Sequence, residues 1–250
     1  MQQVAIITGI TGQDGSYLAE NLLNEGVHVF GGIRRSSASP YNFERIAHLL
    51  EHPNLKLIHF DMMDDCSIEK FIKTIYDHVH NILHLGNYIE VYNLAAQSHV
   101  GDSFRTHFKN NFRFYQASTS ELYGNIKINN KMPNKIEAMT EKTPFNPESP
   151  YAIAKMAAYL TVQNYRKAYN IHAVNGILFN HESPRRGLDF VTRKITNYVA
   201  QYALNRVPGN QPLQLGNLRS KRDWGDAREY VKAMRKMLVE AEGDKVTDYV

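Results

Sequence analysis

Val4-Ala5-Ile6-Ile7-Thr8-Gly9-Ile10-Thr11-Gly12-Gln13-Asp14-Gly15 is a short apolar strand that runs into a glycine turn and then into an amphipathic segment. Glycines at 9, 12 and 15 permit a tight turn, let backbone N–H groups approach a pyrophosphate, and let the following helix sit against the sheet. A dinucleotide is therefore expected against Gly9, Thr11, Gly12, Gln13, Asp14 and Gly15; a structural turn with spare glycines is the alternative. Gly15 to Arg34 is nineteen residues. At that distance an NAD enzyme usually presents an acid to the ribose 2′-hydroxyl, but here the chain presents Arg34-Arg35-Ser36-Ser37. Guanidinium and hydroxyl groups suit a 2′-phosphate, so NADP is the expected cofactor, with a solvated basic turn as the alternative.

Outward from this turn, short apolar segments alternate with amphipathic ones. Strands are expected near 3–8, 27–33, 55–60, 89–95, 112–118 and 171–178, and helices near 15–25, 42–51, 67–79, 151–169 and 225–240. Strands apolar enough to be buried on both faces and separated by helices predict an α/β fold, a Rossmann-type doubly wound parallel sheet. The broken polar stretch 124–148 reads as a surface loop, and 183–222, punctuated by Pro184, Gly187, Pro208, Gly209 and Pro212, as an excursion toward a substrate. The expected divisions are a dinucleotide-binding domain over 1–180, a smaller, incomplete C-terminal substrate lobe over 181–222, and a return helix and strand over 223–250. One junction does not fit. After Gln97-Ser98-His99-Val100-Gly101, the segment Phe104–Asn111 is too short for the helical crossover that joins parallel strands. Either the flanking strands are not parallel neighbours, or residues of the natural protein are absent here.

The chain has 250 residues, 43% hydrophobic and 22% charged, enough to bury a core, and a net charge of +4 spread over scattered basic residues. That balance supports nucleic-acid binding only weakly; the same arginines serve cofactor and nucleotide phosphates. No apolar run approaches a membrane span and no leader precedes the first strand, which favours a cytoplasmic protein. The single cysteine, Cys66, rules out an internal disulfide or multi-cysteine metal site and is expected to pack rather than react; no metal is expected.

The chemistry is expected from Thr119, Glu121, Tyr151 and Lys155. Tyrosine one turn before lysine places both on one helix face, where an ammonium can lower the phenol's pKa and make it a base, and Lys155 is also expected to hold the nicotinamide ribose. Thr119 supplies a hydroxyl donor. Glu121, two residues on and on the same side of an extended strand end, supplies a second base; a solvated acid or ion pair is the plainer alternative.

Gly31-Gly32-Ile33-Arg34-Arg35-Ser36-Ser37, Phe114 through Gly124, Gly176 through Gly187, Phe190 through Ile195 and Arg222-Asp223-Trp224-Gly225 together resemble the GDP-mannose 4,6-dehydratases, extended short-chain dehydrogenases/reductases. The resemblance runs from Val4 to about Leu238, with two departures: the short Phe104–Asn111 link, and a family that continues beyond Val250. It implies NADP-dependent dehydration of GDP-mannose to GDP-4-dehydro-6-deoxymannose, a step toward GDP-fucose or GDP-rhamnose type sugars, in a homo-oligomer whose arginine loop lies near a subunit interface. It further implies that Asp61 and Met62 cradle the adenine, with Phe60 in place of a small residue. Leu94, Ala95, Ala96, Gln97 and Ser98 line the cofactor, and His181 and Arg186 touch it. Ser98, Asn180, Lys194 and Arg222 hold the substrate. Two alternatives stay open: an NADP-dependent nucleotide-sugar epimerase or reductase, and a non-catalytic nucleotide-binding or assembly subunit.

Overall fold

The computed structural model describes residues 3–34, 43–79, 88–95, 112–124, 138–207, 209, 211–242 and 246–250. The chain threads β1 (Val4–Thr8), α1 (Gln13–Asn24), β2 (His28–Ile33), β3 (Leu55–His59), α2 (Asp65–Val79), β4 (Ile89–Asn93) and β5 (Phe112–Thr119). It continues through α3 (Pro150–Tyr169), β6 (His172–Leu178), β7 (Asn180–Glu182), α4 (Val191–Ala203), β8 (Trp224–Asp226), α5 (Ala227–Val239) and β9 (Asp248–Tyr249). Seven strands form one parallel sheet in the order β3-β2-β1-β4-β5-β6-β9, and β7 and β8 form a separate parallel pair. The order reverses between β1 and β4, and a doubly wound sheet opens its ligand crevice at that switch point.

The sheet is covered on both faces because its strands alternate two apolar sets. Val4 and Ile6 pack with Ile68, Phe71, Ile72 and Ile75 of α2 and Val162 of α3. Ala5 and Ile7 pack with Leu18, Leu22 and Leu23 of α1 and Val231, Met234 and Leu238 of α5. Each fully buried valine, leucine, isoleucine, phenylalanine or methionine among them contributes about 1.5–3 kcal/mol relative to exposure. α3 begins at Ser149, whose hydroxyl accepts from the Ala152 N–H, with Pro150 pre-set for the first turn, and stops at Asn170 in the left-handed region (φ 51°).

The expected strands over 3–95 and 112–178 all form, shortened by a residue or two in places. Over 42–51 the described residues carry α-helix only at 43–44, then a turn and a 3-10 helix at Ala47–Leu49. Ile46 and Leu49, three apart, are the buried pair there, which suits the tighter helix. Cys66 is exposed and does not pack. α4 lies inside the expected excursion and buries none of its residues.

β4 and β5 are parallel neighbours in register from Ile89↔Phe112 to Asn93↔Gln116, which removes one of the two explanations for the short link. The link itself, Phe104–Asn111, lies outside the described residues.

Candidate active site

β1 ends at Thr8 and the chain turns through Gly9, where φ is +74°. A side chain at Gly15 would place its Cβ 2.3 Å from the Gly9 carbonyl oxygen and 2.7 Å from Ile10 Cα, so α1 starts against the turn only because residue 15 is glycine. No side chain caps α1 at Gly12. The N–H groups of its first turn therefore face outward at the switch point, the arrangement that receives a pyrophosphate. Leu94 and Ala95 close the other side, a Cβ at Gly9 falling 3.4 Å from the Ala95 nitrogen. The cradle fits a dinucleotide at Gly9, Gly12, Gly15 and Ala95. Thr11 is buried, and its carbonyl accepts from Arg45 Nη1 at 3.0 Å, a clamp that the sequence did not single out.

Gln13 and Asp14 direct their side chains elsewhere. Gln13 Nε2 donates to the His181 carbonyl (3.1 Å), and Ser183 Oγ donates to Gln13 Oε1 (2.8 Å). His181 is buried, with Nε2 2.9 Å from Asp14 Oδ2, Nδ1 2.8 Å from the Phe179 carbonyl, and its ring stacked on Tyr230. Burial disfavours its cation, but the Asp14 carboxylate outweighs that and raises its pKa. With both ring nitrogens engaged, His181 ties the glycine turn to β7 instead of presenting a ring nitrogen to a cofactor.

Arg34 is exposed at the end of β2. Arg35, Ser36, Ser37, Ala96, Gln97 and Ser98 lie outside the described residues. After β3, Asp61 Oδ1 accepts from the Met63 N–H and Met62 packs on the α2 side of the core. Phe60 is buried against Phe71.

At the end of β5, Thr119 caps a 3-10 turn, Ser120–Tyr123, by accepting from the Glu121 N–H at 3.3 Å. Glu121 therefore lies on that turn, not on an extended strand end. Its Oε2 accepts from Ser149 Oγ at 3.3 Å, which draws it to the start of α3, beside Tyr151. Tyr151 is 48% exposed, so a bound molecule can reach its phenol. Burial nevertheless raises its phenol pKa; the Thr119 hydrogen bond and the Arg186 charge pull it down, and the Glu121 carboxylate pushes it further up.

Lys155 is 5% exposed and donates to the Ala117 carbonyl at 3.0 Å, its Nζ 5.8 Å from the centre of the Tyr151 ring. Burial lowers the ammonium to about 8. A lowered Tyr151 pKa was expected beside Lys155; here burial leaves the phenol raised, and the ammonium is held on a backbone carbonyl.

The β7–β8 pairing sets Asn180 opposite Trp224, two residues from Arg222. Arg222 is exposed and donates to the Lys221 carbonyl; Lys194 is exposed on α4. Arg186 pairs with Glu182 at 3.3 Å and lies over the Phe190 ring. No described group of histidine, cysteine and carboxylate side chains could hold a metal, and no described helix is long and apolar enough to cross a membrane.

A parallel sheet with a glycine turn at its switch point, and a Thr/Tyr/Lys set where β5 meets α3, define an extended short-chain dehydrogenase/reductase. The sequence profile described as GDP-mannose 4,6 dehydratase matches residues 6–108 and 105–250, and the chain belongs to that family. GDP-mannose 4,6 dehydratase of Cricetulus griseus is 45% identical over 277 residues, covering 100% of this chain and 67% of the relative. The enzyme of that name from Drosophila melanogaster is 47% identical over 277 residues, covering 99% and 63%. The chain thus spans about two thirds of these relatives' length. Among solved structures, dTDP-glucose 4,6-dehydratase from Bacillus anthracis in complex with NAD superposes with a TM-score of 0.76 at 19% identity, covering 99% of this chain and 74% of that one. The family match divides at 105–108, and both alignments are longer than this chain's 250 residues, so the relatives carry residues that this chain lacks.

Proposed function

We propose that the protein is a hydro-lyase that converts GDP-mannose to GDP-4-dehydro-6-deoxymannose with NADP as cofactor. Bound nicotinamide would supply the redox chemistry, taking hydride from sugar C4 and returning it at C6. Tyr151 takes the O4 proton, and Thr119 holds the reacting oxygen with a hydrogen bond. The 4-ketone acidifies C5–H; Glu121 removes that proton and delivers it to O6, which leaves as water, and as C6 becomes a methyl group C5 takes a proton that balances the one Tyr151 removed from O4. Lys155 supplies a buried positive charge beneath Tyr151. Arg34 at the end of β2 supports NADP over NAD, together with Arg35 and Ser36 in sequence. Asn180, Lys194 and Arg222 are the proposed diphosphate contacts. A homo-oligomeric, cytoplasmic enzyme belongs to the same proposal.

The observation that carries dehydration over epimerisation is Glu121. It sits close enough to Tyr151 for its charge to move the phenol, and Ser149 orients it. A 4-epimerase has no use for a base at C5.

A second proposal, a nucleotide-binding or assembly subunit without turnover, is favoured by α4, where Ile195, Val199 and Tyr202 stand exposed. Product analysis separates the two. Parental protein should form the 4-keto-6-deoxy sugar, Tyr151→Phe should neither reduce NADP⁺ nor release water, and Glu121→Gln should oxidise C4 yet lose dehydration by roughly 100-fold or more. Near-parental dehydration by Glu121→Gln would remove Glu121 from the C5 step.

A further inference from the structure

The parallel register sets five polar side chains side by side across the middle of the sheet. Thr8 pairs with Asn93, Asn93 with Gln116, Gln116 with Asn175, and Asn175 with Asp248. All five are buried, with Thr8, Asn93 and Asn175 at 0% exposure. Such a row in a sheet otherwise packed with apolar residues is costly unless its hydrogen bonds close. Apart from Asn175 Oδ1, which has no partner among the described residues, they close in two directions.

On one side, Asp248 collects Tyr159, Gln163 and Arg166 from the inner face of α3, along with Asn175. On the other, a chain of bonds has a fixed polarity. The Ala95 N–H donates to Thr8 Oγ1 (3.3 Å), and Thr8 donates to Asn93 Oδ1 (2.7 Å). That fixes which end of Asn93 faces Gln116: Asn93 Nδ2 donates to Gln116 Oε1 (2.8 Å). Gln116 is thereby forced to turn its own N–H outward, and Nε2 donates to the Ala117 carbonyl (2.9 Å). The same carbonyl receives Lys155 Nζ at 3.0 Å.

We propose that Gln116, oriented by Asn93 and Thr8, is a positioning residue for Lys155: by sharing the Ala117 carbonyl it limits how tightly that oxygen holds the ammonium. The chain begins at the backbone of Ala95, beside Gly9, and ends at Lys155. It therefore joins the dinucleotide cradle to the acid/base site through fixed hydrogen bonds. Around Lys155 are the Tyr151 ring on its own helix and the uncharged Ala117 carbonyl on β5; Glu121 and Arg186 bear on Tyr151. The inference rests on the role given to Lys155 in the proposed reaction.

The test is the titration of Lys155 in protein labelled with carbon-13 at lysine Cε, measured without substrate or cofactor, its resonance assigned by its loss in Lys155→Met. Gln116→Met keeps the shape and removes the competing donor. The carbonyl oxygen then becomes more negative toward the ammonium, and Lys155 should titrate higher by about half to one pH unit. Asn93→Leu keeps the size, adds no charge and cannot donate to Gln116 Oε1. The Gln116 amide is then no longer held with its N–H on the Ala117 carbonyl, and the titration should again move up. Should Gln116→Met fail to fold, Asn93→Leu carries the same expectation. An unchanged or lowered titration in either folded variant overturns the proposal, as does loss of folding in both, which would make the row purely structural. Because no turnover is measured, failure of the proposed reaction would appear separately, in product analysis.

Discussion

Lys155→Met should make the protein more stable at neutral pH while disabling it. In the folded chain the ammonium is buried and its pKa falls from 10.5 to about 8. Below both values the lysine is charged in folded and unfolded states alike, and the folded state bears the full cost of burying the charge, about 3 kcal/mol. Between pH 8 and 10.5 the folded state sheds its proton first and the unfolded state binds more protons, so parental stability rises with pH across that window and the cost fades. Methionine has nearly the same shape and carries no charge. Its loss is the hydrogen bond to the Ala117 carbonyl, about 1 kcal/mol, and that oxygen keeps its Gln116 donor. The net gain is about 2 kcal/mol at pH 7, equivalent to roughly 4–8 °C in Tm for a chain of this size, and it should be close to zero by about pH 9.5. Urea unfolding of both proteins without ligand, from pH 7 to pH 9.5, reads this directly. A variant less stable than the parent at pH 7, or a gain that does not change with pH, would refute the assignment of a charged, poorly solvated Lys155.

Two further outcomes are expected. Asp248→Asn should cost about 2–4 kcal/mol near neutrality because it strips the charge that Arg166 and three neutral donors share. These hydrogen bonds overcome the effect of burial and hold the Asp248 pKa below 3.8, so its stabilisation is complete above that value and lost as pH falls through the folded pKa. In chemical unfolding at graded pH, the parent and variant should therefore converge only in strong acid. Arg34→Ala should weaken NADP⁺ binding by roughly tenfold and leave NAD⁺ binding nearly unchanged, since only the former carries a 2′-phosphate for the guanidinium; calorimetric titration with both dinucleotides measures it.

What the sequence made legible was periodicity and local chemistry. The apolar runs of β1, β2, β4, β5 and β6 are buried on both faces, so they announce themselves without knowledge of their neighbours; β3, at the sheet edge, is only partly buried. The Thr119/Glu121/Tyr151/Lys155 set was visible as spacing. The two- and three-residue strands β7, β8 and β9 are too short to show any period. α4 does carry a helical stripe in Val191, Ile195, Val199 and Tyr202, but it was hidden between proline- and glycine-rich flanks and buries nothing. The direction of the Tyr151 shift depends on burial and on Glu121 reaching it through a 3-10 turn, neither of which is local. Likewise Thr8, Asn93, Gln116, Asn175 and Asp248 look unrelated in sequence and become one row only when register is known. A polar residue at the inward position of a buried strand was the available signal.

Dehydration with internal return of hydride is tested most directly by GDP-mannose carrying deuterium at C4. After turnover with catalytic NADP⁺, the deuterium should lie on the C6 methyl group of the 4-keto product. Deuterium retained at an inverted C4, or lost to the solution without a 6-deoxy product, would contradict the assigned roles of Thr119, Glu121, Tyr151 and Lys155.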